Sequence, residues 1–161
     1  MSLELRDVAP TDDQYLIELY SSTREAELAA TPWTDTQKQE FVLMQFEAQR
    51  TDYETRFPNA AHSIMVMGDR DVGRIWIDRR SEEIRLLDIT VHPDVRNRRI
   101  GSTAIGLLQA ESAVSAIPLR HSVYVSNDAA LRFYRRHGFT VIEDFETYVL
   151  MEWLPETLRD E

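Results

Sequence analysis

The sequence predicts a mixed α/β domain built around one β-sheet. After an alternating segment from Leu3 to Val8, apolar residues recur with a helical period up to about residue 57. The period is two from His62 to Val91, and helical and strand patterns alternate after that. Elements in this order are typical of helices packed on a single mixed sheet. Because no repeat, low-complexity segment or Pro/Gly/Ser-rich linker divides the 161 residues, we expect a single domain over 1–161.

The first third of the chain is predicted to form one strand and two helices. Residues Leu3 to Val8 alternate as a strand, and Thr11 or Asp12 can cap the helix that follows. Thr34 is the predicted N-cap of a second, longer helix, which is expected to extend to about Tyr53. The apolar faces of the two helices are expected to include Leu16, Leu19, Tyr20, Phe41, Met44 and Ala48.

The remainder is predicted to form six further strands and two further helices. Gly68 lies in the turn of the first hairpin, and Gly138 is expected to end the last helix. The strand 84–91 is apolar on both faces, which favours a central place in the sheet. The predicted strands are 62–67, 72–78, 84–91, 119–125, 139–142 and 147–153, and the helices begin at Ile100 and at Asn127, which is also the predicted cap.

The charge of the chain restricts its partners. With 18 Lys and Arg against 28 Asp and Glu, the formal net charge is −10. Such a chain repels nucleic acid and anionic membranes and attracts a cationic small molecule or a basic peptide, although solubility alone is an alternative explanation of the charge. Two arginine clusters are the places where a polyanion can dock: Arg96, Arg98 and Arg99, and Arg132, Arg135 and Arg136.

Several features that the sequence lacks narrow the chemistry. There is no cysteine, which excludes disulfides, thiolate metal sites and a cysteine nucleophile. Four scattered histidines without carboxylate pairing indicate no metal site. No run approaches the roughly 20 apolar residues of a membrane span, and the N-terminus does not have the pattern of a secretory signal. We therefore expect a cytoplasmic protein.

The first candidate site is the segment 91–102, Val-His-Pro-Asp-Val-Arg-Asn-Arg-Arg-Ile-Gly-Ser, which joins the predicted central strand to a helix through a basic loop. Backbone N–H groups at a helix N-terminus are unpaired and carry partial positive charge, so they suit a phosphate or pyrophosphate. Gly101 allows such a ligand to approach the backbone. An ordinary surface turn with solvated arginines is the alternative.

The second candidate segment is 125–139, Val-Ser-Asn-Asp-Ala-Ala-Leu-Arg-Phe-Tyr-Arg-Arg-His-Gly-Phe. Taken alone, it is a capped helix in which Tyr134 is one more core aromatic residue.

Together the two segments resemble the Gcn5-related N-acetyltransferase (GNAT) superfamily. The family's cofactor motif, Gln/Arg-x-x-Gly-x-Gly/Ala, is similar to the segment 96–101 in its spacing and in its first and last residues. The second motif, Asn-x-x-Ala-x-x-x-Tyr-x-x-x-Gly-Phe, is similar to 127–139 at every fixed position. The resemblance covers about residues 62 to 140. It departs at Arg99, where the family usually has glycine and where a side chain either crowds the pyrophosphate or turns outward and adds charge.

This resemblance implies a fold and a cofactor. The sheet is expected to be mixed but mostly antiparallel, with six or seven strands and about four helices, and splayed between strands 84–91 and 119–125 to admit acetyl-CoA. Residues 1–60 are expected to form the acceptor side, 62–140 the acetyl-CoA-binding core and 139–154 a C-terminal hairpin. The residues expected to bind acetyl-CoA are Ile89, Val91, Arg96, Arg98, Arg99, Ile100, Gly101, Ser102 and Asn127.

The resemblance also implies direct attack by an amine in a ternary complex, with Tyr134 as the general acid. A protonated phenol can donate to the departing thiolate. Asp88 is the expected proton acceptor because a carboxylate inside an apolar strand needs a purpose or a partner. The alternative for Asp88 is an ion pair with Arg85 or Arg74, and Glu25 and Glu83 are lesser candidates for the base.

The acceptor is expected to be the primary amine of a cationic small molecule, and no metal is expected. Glu25 and Tyr53 are the candidate acceptor contacts. Acetylation of a protein or peptide, and an acyl-CoA-binding module without catalysis, are the alternative functions. For the oligomeric state, a monomer and a homodimer are both compatible with the sequence.

Overall fold

The computed structural model describes residues 2–159 and forms two compact units. One unit contains the chain up to Ile75 together with Ile89–Arg98, and the other contains Trp76–Asp88 together with the chain from Arg99 onward. In chain order the helices and strands are β1 (Leu3–Asp7), α1 (Asp13–Ala29), α2 (Asp35–Arg56), β2 (Ala61–Met67), β3 (Arg70–Arg79), β4 (Ile84–Val91), α3 (Ile100–Ser115), β5 (Leu119–Tyr124), α4 (Asp128–Arg136), β6 (Thr140–Asp144) and β7 (Tyr148–Trp153).

The seven strands form one mixed sheet in the order β1-β2-β3-β4-β5-β7-β6. β1 pairs with β2, β5 with β7 and β6 with β7 in antiparallel fashion, whereas β4 and β5 are parallel. The predicted mixed fold with seven strands and four helices is therefore confirmed. The central place predicted for the strand 84–91 is also confirmed, since β4 is the fourth of the seven.

The core of the first unit is formed by α1, α2 and β2. Val42 and Phe46, one helical turn apart on α2, are buried, while Met44 is 59% exposed. The predicted apolar face of α2 was therefore wrong, because Val42 and Phe46 turn a neighbouring face of the helix toward α1. The buried cluster consists of Leu16, Tyr20, Leu28, Val42, Phe46 and Ile64.

Two predicted caps of the first unit behave differently. Thr34 caps α2 as expected, since its hydroxyl accepts from the Gln37 N–H at 3.1 Å and the Gln37 side chain accepts from the Thr34 N–H at 2.9 Å. Asp12 precedes α1, but its carboxylate accepts instead from the Ala9 N–H and from the guanidinium of Arg6. It therefore holds the turn before α1 to β1 rather than capping α1.

In the second unit, α3 packs on β5 and α4 is capped as predicted. The Asn127 side chain accepts from the Ala130 N–H at 3.1 Å. Gly138 follows α4 with φ 87°, a left-handed conformation that suits glycine and ends the helix. The buried α3 residues Ile100, Ala104, Ile105 and Leu108 form the face of the helix that is turned inward. Across residues 2–159, no helix combines the length and the apolar character that a membrane span requires.

Candidate active site

The shared register of β4 and β5 is short. It pairs Ile84 with Leu119, Arg85 with Arg120 and Leu86 with His121, whereas β4 itself continues to Val91. At the last of these pairs the His121 side chain contributes a hydrogen bond of its own, from Nδ1 to the Leu86 carbonyl at 2.8 Å. The sheet therefore changes from backbone pairing to a side-chain contact at this point.

The C-terminal half of β4 approaches β3 closely at Gly73. A Cβ at this position would overlap the Thr90 carbonyl oxygen and would lie 3.1 Å from the Val91 Cα. The His92 N–H beyond the end of β4 donates to the Val72 carbonyl at 2.9 Å. Ile89 and Val91, which are predicted to bind acetyl-CoA, are both partly exposed on this segment. Glycine at position 73 thus allows the backbone of β3 to fix the end of β4.

The basic loop after β4 has an unusual backbone. A 3₁₀ turn at Pro93–Val95 is followed by Asn97 with φ 66° and by Arg99 with φ 61° and ψ 22°. Left-handed conformations suit glycine and asparagine, and they cost other residues roughly 1–2 kcal/mol. This explains why glycine suits position 99, and it shows that the constraint at Arg99 lies in the backbone. The Arg96, Arg98 and Arg99 side chains are exposed.

The first turn of α3 has backbone N–H groups that can bind an anion. Arg99 occupies the N-cap position, and its side chain makes no capping hydrogen bond in the described structure. The first intrahelical bond runs from the Thr103 N–H to the Arg99 carbonyl at 2.9 Å, so the N–H groups of Ile100, Gly101 and Ser102 precede it. These are the groups that a phosphate recognises at a helix N-terminus.

Gly101 and Ser102 have different surroundings within this turn. A Cβ on Gly101 would meet only the Phe133 ring, at 3.5 Å, which is an ordinary contact. The protein itself therefore accommodates a small side chain at position 101. The Ser102 hydroxyl lies 3.0 Å from His137 Nε2, on the residue that follows α4.

Tyr134 lies in the interior of the second unit with 4% of its surface exposed. Its ring centroid is 4.9 Å from that of His121 and 5.3 Å from that of Phe139. Burial, together with the charge of Asp88, raises the pKa of Tyr134 well above its usual range. The phenol therefore keeps its proton at neutral pH, as a general acid must before it donates.

Asp88 acts electrostatically on two neighbours that can exchange protons. Its charge raises the pKa of Tyr134, and it also opposes the effect of burial, which lowers the pKa of His121. The two arginines considered as partners of Asp88 have other contacts as well. Arg85 binds Glu83 at 2.9 Å, and Arg74 donates to Gln49 at 2.7 Å.

Glu83, a lesser candidate for the base, lies in an ion-pair network. Its carboxylate accepts from Arg120 at 3.0 Å and from Arg85 at 2.9 Å, and Arg120 also binds Glu152 at 2.9 Å. Burial alone raises the pKa of Glu83, but the Arg120 hydrogen bond and the charge of Arg85 outweigh it and lower the pKa. A carboxylate held in this way is a poor proton acceptor.

The two candidate acceptor contacts lie on different parts of the first unit. Glu25 on α1 lines a cavity of about 300 Å³ with Leu28, Lys38 and Val42, and a second cavity of about 370 Å³ along α1. Tyr53 lines neither of these cavities, and its ring packs on Phe57 at 6.2 Å. Neither of these two cavities therefore brings Glu25 and Tyr53 together.

Sequence reasoning missed a histidine–carboxylate pair at the end of β4. His92 Nε2 lies 3.4 Å from a Glu18 oxygen, and the His92 ring stacks on Tyr15 with centroids 5.9 Å apart. Because the Asp94 N–H donates to His92 Nδ1, the hydrogen of the neutral ring lies on Nε2, toward Glu18. The helical spacing of Glu18 and Glu25 on α1 was the available signal. Both line the cavity of about 370 Å³, with Gln14, Ile17, Ser21 and Ser22.

No group of three or more His, Asp or Glu side chains in residues 2–159 has an arrangement suited to a metal ion. The uncapped first turn of α3, with Gly101 in it, is a feature that fits the phosphate groups of a coenzyme A derivative. The Asn127 side chain is engaged in capping α4, so its predicted role in cofactor binding stays a prediction.

In sequence comparisons, residues 59–141 match the family model described as the acetyltransferase (GNAT) domain. Among curated proteins, no significant sequence match was found.

Solved structures with a similar fold cover nearly the whole chain. The PaiA N-acetyltransferase of Thermoplasma acidophilum, in complex with coenzyme A, has 18% identity and a TM-score of 0.70, covering 96% of this chain and 99% of its own. An acetyltransferase of Thermus thermophilus has 21% identity and a TM-score of 0.69 over 96% and 97% of the two chains. The Campylobacter jejuni N-acetyltransferase PseH, in complex with acetyl coenzyme A, has 13% identity and a TM-score of 0.58 over 94% and 98%.

Proposed function

Because the chain belongs to the GNAT acetyltransferase family, we propose that it transfers the acetyl group of acetyl-CoA to a primary amine of a cationic small molecule. The uncapped first turn of α3, with Gly101 in it, is the observation that carries this proposal. The amine attacks directly in a ternary complex, as the resemblance to the family implies, and the absence of cysteine from the sequence excludes a cysteine-acetyl intermediate. In this proposal, residues 1–161 form one GNAT domain.

The cofactor is held mainly by backbone groups. The N–H groups of Ile100, Gly101 and Ser102 bind its pyrophosphate, because they are uncapped and lie at the positive end of the α3 dipole. The Arg96, Arg98 and Arg99 side chains add positive charge. Ile89 and Val91 pair with the pantetheine, and the Val91 N–H polarises the thioester carbonyl. Bound acetyl-CoA supplies an acyl group activated as a thioester.

Two groups of the second unit handle protons. Tyr134 donates its phenolic proton to the departing thiolate. Burial raises its pKa, which keeps the phenol protonated until charge develops on sulfur but does not make it a stronger acid. Asp88 receives the proton of the attacking amine, directly or through a water. An ion pair of Asp88 with Arg74 or Arg85 is the structural alternative.

The charge of the chain and of one cavity supports a cationic acceptor. The net charge of −10 attracts cations over a distance, and Glu18 and Glu25 both line the cavity of about 370 Å³ on α1. Tyr53 as an acceptor contact, a cytoplasmic location and a homodimer stay predictions. A thiol-release screen over polyamines, aminoglycosides, amino acids and short peptides identifies the acceptor and distinguishes a small molecule from a peptide.

Cofactor binding is tested with the Gly101→Glu variant and isothermal titration calorimetry of desulfo-CoA. Glutamate places bulk and negative charge at the pyrophosphate position, so we expect no measurable binding. Gly106→Glu is the matched control, since position 106 lies on the same helix and a Cβ there meets nothing within 4 Å. Equal affinities of the two variants would refute the proposed cofactor site.

A further inference from the structure

The Ser102 hydroxyl contacts an imidazole whose position is fixed. Its oxygen lies 3.0 Å from His137 Nε2. Two turns further along α3, the Gln109 side-chain amide donates to the His137 carbonyl at 2.8 Å. The Phe133 ring packs on the imidazole with centroids 4.5 Å apart. His137 is therefore held against α3 at its backbone and at its ring, which fixes the side from which Nε2 meets Ser102.

Ser102 also belongs to the proposed phosphate site. Its N–H is the last of the three in the first turn of α3 that precede the first intrahelical bond. Helix side chains tilt toward the N-terminus, so this hydroxyl lies over the turn that carries those N–H groups. Within residues 2–159 its one hydrogen-bond partner is His137, whereas the neighbouring Thr103 hydroxyl donates to the Arg99 carbonyl at 2.8 Å.

The direction of the bond between Ser102 and His137 decides what the hydroxyl can bind. A serine hydroxyl has one hydrogen, and a neutral imidazole has a hydrogen on one of its two nitrogens. If Ser102 donates to Nε2, its oxygen presents lone pairs, which repel a phosphate. If Nε2 carries the hydrogen and donates it, the serine hydrogen is free. Burial, and secondly the charge of Arg136, lower the pKa of His137, so the ring is neutral at neutral pH and both directions are available to it.

We propose that His137 orients the Ser102 hydroxyl toward the pyrophosphate of acetyl-CoA. The His137 Nε2–H donates to the Ser102 oxygen, and the Ser102 O–H donates to a phosphate oxygen beside the backbone N–H groups. Hydrogen bonds to a charged acceptor are stronger than those between neutral groups, and successive hydrogen bonds polarise one another. His137 acts through Ser102 and is therefore a positioning residue. The inference rests on the proposed function and deepens it, because it connects the end of α4 to cofactor binding.

The first test is a double-mutant cycle on the affinity for desulfo-CoA. Ser102→Ala removes the hydroxyl, and His137→Phe retains a ring against Phe133 but removes Nε2. We expect Kd, measured by calorimetry, to rise about 10- to 30-fold in Ser102→Ala and about 3- to 10-fold in His137→Phe. In the Ser102→Ala background, His137→Phe should change Kd by less than about twofold. An unchanged Kd in His137→Phe alone, or the same rise with and without the hydroxyl, would overturn the proposal.

Two further variants serve as controls. Thr103→Ala removes the adjacent hydroxyl on the same helix and should leave Kd within about twofold of the wild type. His137→Gln supplies an amide N–H that can donate to Ser102, so it should recover most of the affinity that His137→Phe loses. If His137→Phe does not fold, His137→Leu takes its place in the cycle. A glutamine variant as weak as the phenylalanine variant would contradict a role for the Nε2 hydrogen.

Kinetics separate weaker phosphate binding from a general disturbance of the site. In His137→Phe, with the fastest amine of the screen, the KM for acetyl-CoA should rise as Kd does while kcat stays within about twofold. Acetylpantetheine carries the same thioester without the phosphates, so its kcat/KM should be equal in His137→Phe and in the wild type. An equal loss with both acetyl donors would indicate a structural contact between α3 and α4 and would overturn the positioning role.

The hydrogen itself is observable in the wild-type protein. Nuclear magnetic resonance of ¹⁵N-histidine-labelled protein distinguishes ring nitrogens with and without a hydrogen, and loss of signals in His137→Gln assigns the residue. In the complex with desulfo-CoA we expect a hydrogen on His137 Nε2. An Nε2 without hydrogen in that complex would overturn the proposal. A wild-type protein that binds no desulfo-CoA would overturn the proposed function, whereas wild-type binding with any contrary result above overturns this inference alone.

Discussion

Two clusters of polar side chains lie along strands β4 and β5, and the clusters differ in the chemistry of their side chains. At the start of the strands, Glu83 and Glu152 are matched by Arg85 and Arg120 at 2.9–3.0 Å. Further along, the polar groups are the Asp88 carboxylate, the His121 imidazole and the Tyr134 phenol. The first cluster holds permanent charges that neutralise one another, and the second holds protons that can be exchanged. The first is therefore suited to stability and the second to chemistry.

Removing the Tyr134 hydroxyl is expected to have the largest effect. Tyr134→Phe retains the ring contacts with His121 and Phe139 but removes the proton donor. We expect kcat to fall roughly tenfold to a thousandfold with little change in acetyl-CoA binding or in unfolding temperature. Steady-state kinetics combined with calorimetry measures this. Full turnover of the variant, with chemistry shown to be rate-limiting, would assign Tyr134 to the core.

Asp88→Asn tests whether the carboxylate belongs to the chemical cluster. If Asp88 accepts the amine proton, kcat/KM at neutral pH should fall about 10- to 100-fold, and the acidic limb of its pH profile should disappear. The effect is expected to be smaller than that of Tyr134→Phe because water can take part in the transfer. A pH profile of wild-type shape in a folded but less stable variant would instead indicate an ion pair.

Glu83→Gln is the complementary change in the ion-pair cluster. The amide cannot balance Arg85 and Arg120, so we expect the free energy of unfolding to fall by about 1–3 kcal/mol, with kcat within twofold of the wild type. Urea unfolding measures the loss. The adjacent exposed Glu82→Gln is the matched control and should change stability by less than about 0.5 kcal/mol. A large loss of kcat in Glu83→Gln would remove the distinction between the clusters.

Lowering the pH should reduce the contribution of Glu83 to the free energy of unfolding. Because the folded-state pKa of Glu83 lies below its usual value of 4.5, its stabilisation is complete above about that pH and is lost as the pH falls through the folded-state pKa. The stability difference between wild type and Glu83→Gln should therefore shrink on acidification. Urea unfolding over a series of acidic pH values measures it, and a constant difference would show that the carboxylate is not preferentially ionised in the folded state.

Most of the fold was predictable because its signals are local. The strand pattern of 84–91 gave the bounds of β4, and Thr34 and Asn127 are caps whose own side chains make the expected bonds. The exposed Met44 shows where local reasoning failed. A helix with polar residues on most sides has several candidate faces, and only its packing against α1 decides which one is buried.

The candidate site was predictable where it follows the chain and unpredictable where it does not. The residues around Gly101 lie in one continuous segment, so a motif describes them. The contact of His121 with Leu86 joins residues 35 apart, so no local sequence pattern reveals it. The pairing of His92 with Glu18 spans 74 residues and depends on how α1 lies beside the end of β4.

Gly73 has a consequence that reaches beyond its own strand. Because any side chain there would press on Thr90 and Val91, Gly73 helps to set the shape of the backbone at the end of β4, where the thioester is proposed to bind. A Gly73→Ala substitution would leave every proposed site side chain intact and would still displace the Val91 amide. Such a chain would look like an intact enzyme by its motifs while its reactivity had already declined, so position 73 is a useful place to look when a homologue with complete motifs proves inactive.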